Sequence, residues 1–192
     1  MGSASVPEYV LNAHSPLNGY TQEFSGVAVS EIVDRLILSV SIPAGEKTEF
    51  EAALQAGFGL SIPKTGRVTT SGSSTAYLLG LQKNLYFLVY DAPAREPAIE
   101  RLKAAIYHTD QSDNWVMLLV DGEKCREVLA RICPVDLHPA KFPVGKVVRS
   151  LMAHVGVIIY RPSDDSFCLL APSSSAESFL QALEAAAISA LG

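Results

Sequence analysis

DNWVMLLVDGEKCREVLARICPVDLHP, residues 113–139, opens with an unbroken apolar run from Trp115 to Val120 that Asp121-Gly122 ends. A helical period follows, with Cys125, Val128, Leu129, Ile132 and Cys133 at i, i+3, i+4, i+7 and i+8. That spacing places all five on one face of a helix. Glu123, Lys124, Arg126, Glu127 and Arg131 fall on the other face. Glu127 and Arg131 stand four apart in the favourable order, worth a few tenths of a kcal/mol. Pro134 then stops the helix. The stretch predicts a buried strand, a tight corner and an amphipathic helix packed back on the sheet.

Composition bounds the rest. With 192 residues the chain makes one domain or two small subdomains. A chain of this length buries about 70% of its unfolded surface, so its core needs no covalent staples. Apolar residues make up 48% and charged residues 18%, which leaves room for a partner interface. A net charge of −5 with no basic run argues against nucleic acid, since counterion release needs clustered Lys and Arg. Three cysteines, Cys125, Cys133 and Cys168, point to a reduced, cytoplasmic state. No Cys or His pair has metal spacing, and no apolar segment reaches the about 18 residues of a membrane span. The opening residues lack the charged-then-apolar order of a signal peptide.

Along the chain, residues 1–26 are polar, with Pro7, Pro16 and Gly19, and read as an extended arm. Glu31 to Ile42 alternates as one strand, with Ile32, Leu36, Leu38, Val40 and Ile42 on one side and Ile37 the exception. Phe50, Ala53, Leu54 and Gly57 predict a short helix over about Lys47 to Ala56, with Gly57 and Gly59 as candidate stops. Leu60 to Ser74 is a strand fragment and a Gly/Ser/Thr loop that has neither phosphate-loop order.

Two later segments match. Ala76 to Ile106 and Gly156 to Ala186 each read as a strand, a polar turn, a second strand ending in Ala-Pro, and a helix. The first helix turns Ile99, Leu102 and Ile106 inward; the second turns Phe179, Leu183 and Ala187 inward, with Ser174 and Glu177 in capping-box spacing. Val135 to Lys146 is a Pro-rich connector, Val147 to Ala153 a strand, and His154 to Gly156 a hairpin corner. The fold class is therefore α+β: antiparallel sheets with helices packed on one face, in two ferredoxin-like subdomains built from β-β-α units. The division runs 1–26, 27–108 and 109–192.

Chemistry is sparse. His14, His108, His138 and His154 are scattered singly, and Asp110, Asp113, Asp164 and Asp165 sit in expected turns. No Ser lies in a nucleophile elbow and no Cys–His pairing is visible. We therefore expect no catalytic, cofactor-binding or metal-ligating residue.

The chain resembles the gamma subunits of heterotetrameric sarcosine oxidases. The resemblance runs from His14-Ser-Pro-Leu-Asn-Gly19 to the last helix. It is carried by Thr109-Asp-Gln-Ser-Asp-Asn-Trp115, Cys133-Pro-Val-Asp-Leu137, Phe142-Pro-Val-Gly145, Val155-Gly-Val-Ile-Ile-Tyr-Arg161 and Ser174-Ser-Ala-Glu-Ser-Phe-Leu180. That family is similar in turn to the folate-binding fold of the glycine-cleavage aminomethyltransferase, or T-protein. There, a D-x-S segment precedes a strand, a Gly and a helix, as Asp110-Gln-Ser112, Trp115 to Val120, Gly122 and Glu123 to Cys133 do here.

The aminomethyltransferases then carry two aspartates, which would fall at Gly156 and Val157. Neither residue titrates, so the resemblance implies a subunit without folate chemistry of its own. It also implies partners: alpha, beta and delta subunits, alpha most directly, holding FAD, FMN, NAD and tetrahydrofolate. Together they oxidise sarcosine to glycine and hydrogen peroxide and pass a one-carbon unit to folate. The alternative is a self-standing T-protein-like folate-binding protein. The arm, the Leu60 to Ser74 loop and the Val135 to Lys146 connector are the candidate partner-facing segments.

Overall fold

The computed structural model describes residues 14–73, 75–91, 100, 102–103 and 106–192. Residues 1–13 of the expected arm, Ser74 and Ile99 lie outside the described residues. In chain order the elements are β1 (Thr21–Phe24), β2 (Val27–Glu31), β3 (Arg35–Ser41), α1 (Lys47–Phe58), β4 (Val68–Thr70), β5 (Ala76–Gln82), β6 (Leu85–Asp91) and β7 (Tyr107–Asp110). They continue with β8 (Trp115–Asp121), α2 (Cys125–Leu129), β9 (Val147–Met152), β10 (Val155–Ser163), β11 (Ser166–Pro172) and α3 (Ala176–Leu191). One sheet has the order β1-β2-β8-β11-β10-β9 and the other β4-β5-β6-β3-β7, with every pairing antiparallel.

The two sheets pack face to face. Ile37, Leu79, Phe87 and Val89 of one meet Met117, Ile158, Tyr160, Cys168 and Leu170 of the other. Phe50, Leu54 and Phe58 of α1, with Leu102 and Ile106, cover the outer face of the five-stranded sheet. Cys125, Val128 and Leu129 of α2, with Phe179, Leu183 and Ala187 of α3, cover the outer face of the six-stranded sheet. The layers run helix, sheet, sheet, helix. A strand buried on both faces has no polar side to show, which is why Ile37 breaks the alternation of β3.

Each half repeats one plan. β3, α1, β4, β5 and β6 correspond to β8, α2, β9, β10 and β11, and the strand orders β4-β5-β6-β3 and β9-β10-β11-β8 coincide. The repeating unit is thus longer than the β-β-α read from the sequence, by a strand, a helix and a short strand ahead of it. The place beside β3 is taken by β7 and the place beside β8 by β2.

Four expectations are corrected. Glu31 to Ile42 is not one strand: Asp34, with φ 61°, turns the chain, and β2 and β3 enter different sheets. The boundaries at 26/27 and 108/109 do not follow the sheets, because β1 begins at Thr21 and β7 continues to Asp110. The described part of the arm is fastened rather than loose. The buried Glu31 carboxylate accepts hydrogen bonds from Ser15 Oγ at 2.8 Å, Leu17 N at 3.1 Å and Gly19 N at 2.7 Å. Tyr20 Oη donates to Glu184 Oε1 of α3 at 2.7 Å. Ser174 caps nothing: a 3₁₀ turn, Ser173–Ser175, leads into α3, and Ser175 holds the N-cap position without a side-chain hydrogen bond.

The deciding stretch folds as its pattern dictates, with a shorter helix. α2 ends at Leu129, and single turns bonded through Ile132 N and Cys133 N to Leu129 O carry the chain on to Pro134. Arg131 thus leaves the helix, and no ion pair joins it to Glu127 among the described residues. The first expected helix runs through Gly57 to Phe58, and Gly59 closes it in the left-handed region at φ 64°.

Candidate functional site

The link from β7 to β8 sets the geometry. Asp110 accepts hydrogen bonds from Ser112 N at 2.9 Å and from Ser112 Oγ at 2.7 Å. Ser112 Oγ accepts in turn from Ile37 N at 3.0 Å, and Gln111 N donates to Ile37 O at 2.8 Å. The bonds from Ser112 hold the Asp110 carboxyl below its usual range. The D-x-S segment therefore pins the crossing from one sheet to the other.

Trp115 follows at once, and it is the only tryptophan in the chain. Its ring meets Phe87 edge to face, with centroids 5.7 Å apart and planes at 72°. Its Nε1 is buried without a hydrogen-bond acceptor among the described residues. Three hollows share Trp115 as a wall. One of about 200 Å³ is bounded by Arg149, Ser150, Gly156, Val157 and Ile158. One of about 550 Å³ reaches Glu31, Asp34, Arg35 and Ser112. One of about 520 Å³ reaches Gln111, Asp113, Pro172 and Ser173.

Gly156 and Val157, the positions that the aminomethyltransferase resemblance gives to aspartates, both border the smallest of these hollows. Gly156 opens onto the smallest hollow, and a Cβ there would meet nothing within 4 Å. Val157 is buried in the helix-side core. The six residues around that hollow include one ionic side chain, Arg149, and no carboxylate or imidazole. Such a wall binds and excludes water; it offers no group to take or give a proton near neutral pH.

The other candidates stay apart. His108 and His154 are exposed, on β7 and at the β9–β10 turn, and His138 Nδ1 accepts from Ala140 N in the connector. His14 lies against Ser15 O. Asp164 and Asp165 flank the β10–β11 turn and face Arg161 and Arg126. The described residues bring no three metal-capable side chains together. All three thiols are free and buried. Burial raises the pKa of Cys125 and Cys133 and pushes Cys168 up to about 12, so none is a thiolate nucleophile at neutral pH. Tyr77 and Tyr160 are raised by burial as well.

Two features escape a linear reading. Arg161, 1% exposed, spends its guanidinium on Phe142 O at 2.9 Å, Ser163 O at 3.1 Å and Asp164 O at 2.6 Å, and stacks 5.7 Å above the Phe167 ring. It anchors the connector through backbone carbonyls. The Leu60 to Ser74 loop and the connector, read separately as partner-facing segments, lie against each other. Val68 N donates to Gly145 O at 2.8 Å, Val147 N donates to Gly66 O at 3.1 Å, and Arg67 pairs with Lys146. Nothing local in either segment announces the other. No helix among the described residues is long and apolar enough to cross a membrane.

Comparison with known proteins places this geometry. The sarcosine oxidase gamma subunit family model matches residues 43–189. The sarcosine oxidase subunit gamma of Corynebacterium sp. (strain U-96) is 32% identical over 134 residues, covering 66% of this chain and 63% of that protein. The one from Arthrobacter sp. is 31% identical over 126 residues, covering 62% and 60%. The match thus spans less than two thirds of the length of these relatives. A chain of the heterotetrameric sarcosine oxidase of Corynebacterium sp. U-96, solved in complex with pyrrole 2-carboxylate, superposes with a TM-score of 0.79 at 22% identity, over 94% of this chain and 97% of that one. The aminomethyltransferase T of Bartonella henselae gives 0.60 at 14% identity, over 83% of this chain and 46% of that one. At these identities the two structures speak for the fold alone.

Proposed function

Because the chain belongs to the sarcosine oxidase gamma subunit family, we propose that it is the non-catalytic gamma subunit of a heterotetrameric sarcosine oxidase. It supplies shape and surface, while FAD, FMN, NAD and tetrahydrofolate are held by the alpha, beta and delta subunits. The observation that carries this reading is Gly156. The aminomethyltransferase-like fold is present, yet the hollow beside β10 has no carboxylate with which to handle a folate amine. Alpha is the principal neighbour, since the resemblance gives it a folate domain of the same architecture. Three buried free thiols fit a reducing compartment, the cytoplasm.

Co-expression with alpha, beta and delta chains, followed by size exclusion, tests the reading. The expected result is a complex that retains this chain and oxidises sarcosine, while the isolated chain carries no flavin. Failure to assemble, a tightly held flavin or turnover by the isolated chain would overturn it. Heat released on titrating the isolated chain with tetrahydrofolate would favour the self-standing folate-binding alternative.

A further inference from the structure

Residues 61–70 and 141–151 contain five cations, Lys64, Arg67, Lys141, Lys146 and Arg149, and no carboxylate, in a chain of net charge −5. The fold joins the two segments along the β4–β9 seam through Val68 N, Val147 N and the Arg67–Lys146 pair. Lys64, Arg67, Lys141 and Arg149 are exposed. The Lys146 ammonium donates to Lys141 O at 2.6 Å and lies 5.5 Å from the Phe142 ring centroid, and the Arg149 guanidinium lies 5.8 Å over Phe87. Among the described residues none of the five has an ion-pair partner. Like charges gathered this way repel until an anion arrives, and they steer one in.

Apolar surface borders the charge. Val144 is 46% and Leu151 66% exposed, and Arg149 is also a wall of the hollow between Trp115 and Gly156. β9 is an edge strand: past the Arg67–Lys146 pair, no described strand bonds to its outer side. The β9 edge runs between the cations: Lys146 turns to the Phe142 side of the strand, and Arg149 to the Phe87 side, where it walls a hollow about the size of one large side chain. An extended acidic segment satisfies all three: its backbone meets the edge, its carboxylates meet the cations, and one bulky side chain fills the hollow.

Resting on the gamma-subunit reading, we infer that a partner subunit docks an extended acidic segment along this seam, with a large apolar side chain seated against Trp115. The test uses the full chain co-expressed with the alpha, beta and delta chains. It compares the wild type, the triple variant Lys64→Glu, Arg67→Glu and Arg149→Glu, and the control Lys47→Glu on α1, with a thermal melt of each free chain to establish folding. The triple variant binds the large subunits at least about tenfold more weakly and with a smaller salt dependence, while the control binds as wild type. Acylation footprinting of the wild-type complex protects Lys64, Lys141 and Lys146 and leaves Lys47 labelled.

Assembly of the triple variant at wild-type affinity with unprotected seam lysines overturns the inference and leaves the subunit reading intact. Equal weakening by the control assigns the effect to net charge and also overturns it. Seam lysines protected by nuclease-sensitive material, with none protected by the co-expressed chains, would replace the partner with nucleic acid. Failure of the wild type to assemble overturns both readings.

Discussion

At the scale of single residues, close backbone approach decides what the chain tolerates. A Cβ on Gly122 would sit 2.3 Å from Gly26 O, and one on Gly80 would sit 2.6 Å from Lys64 O. Gly122 also has φ 131°, where L side chains are strained. Gly122→Ala and Gly80→Ala should each cost more than about 2 kcal/mol, read from urea unfolding. Gly156→Ala, with open space at its Cβ, should change stability by less than about 0.5 kcal/mol. The buried thiols supply a chemical test: at pH 8, Cys125, Cys133 and Cys168 should resist a thiol reagent in the native chain and react together once it unfolds. Sequence reading placed Cys125 and Cys133 on the inward face of a helix through the helical period, and Cys168 in a strand. It passed over Gly80 and Arg161, because what they touch is distant in the chain: Lys64 in one case, Phe142 in the other.

Among elements, the two turns that reset chain direction carry the sharpest expectations. The β9–β10 hairpin turns on Ala153 and His154, with φ 47° and 68°, a conformation that Asn-Gly adopts without strain. Ala153→Asn with His154→Gly should therefore raise stability by about 0.5–1 kcal/mol in thermal melts. The D-x-S turn behaves otherwise, since its hydrogen bonds favour the ionised Asp110. A carboxyl lowered in the folded state gives stability that is whole above its unfolded value, about 3.9, and lost as pH falls through the lower folded value. Asp110→Asn should remove that part of the acid-side slope, seen as a shallower fall in melting temperature below about pH 4. β5, β6, β8, β9, β10, β11, α1 and the last helix were legible because each carries its own apolar pattern. The break at Asp34 was not, since the apolar residues on either side of it keep the rhythm of one strand while serving two sheets.

The whole molecule is two copies of one plan sharing an inner layer, and neither copy closes alone. The C-terminal half takes β1 and β2 from the other end of the chain, and the faces carrying Ile37 and Phe87 pack against Met117, Ile158 and Cys168 of the other sheet. A fragment of residues 112–192 should show no cooperative thermal transition by circular dichroism, while the full chain should unfold in one. Sequence alone displayed the two similar units and their α+β character, because local pattern specifies them. How the units meet depends on which strand ends beside which, and no local propensity encodes that.

Sheet order also bears on how the polypeptide is made. β1 and β2 leave the ribosome before β8, yet β2 bonds to β8, whose Trp115 to Asp121 is synthesised later. The β1–β2 hairpin must wait, unseated, while residues 32–114 are made, so this side of the six-stranded sheet closes through a pairing distant in sequence.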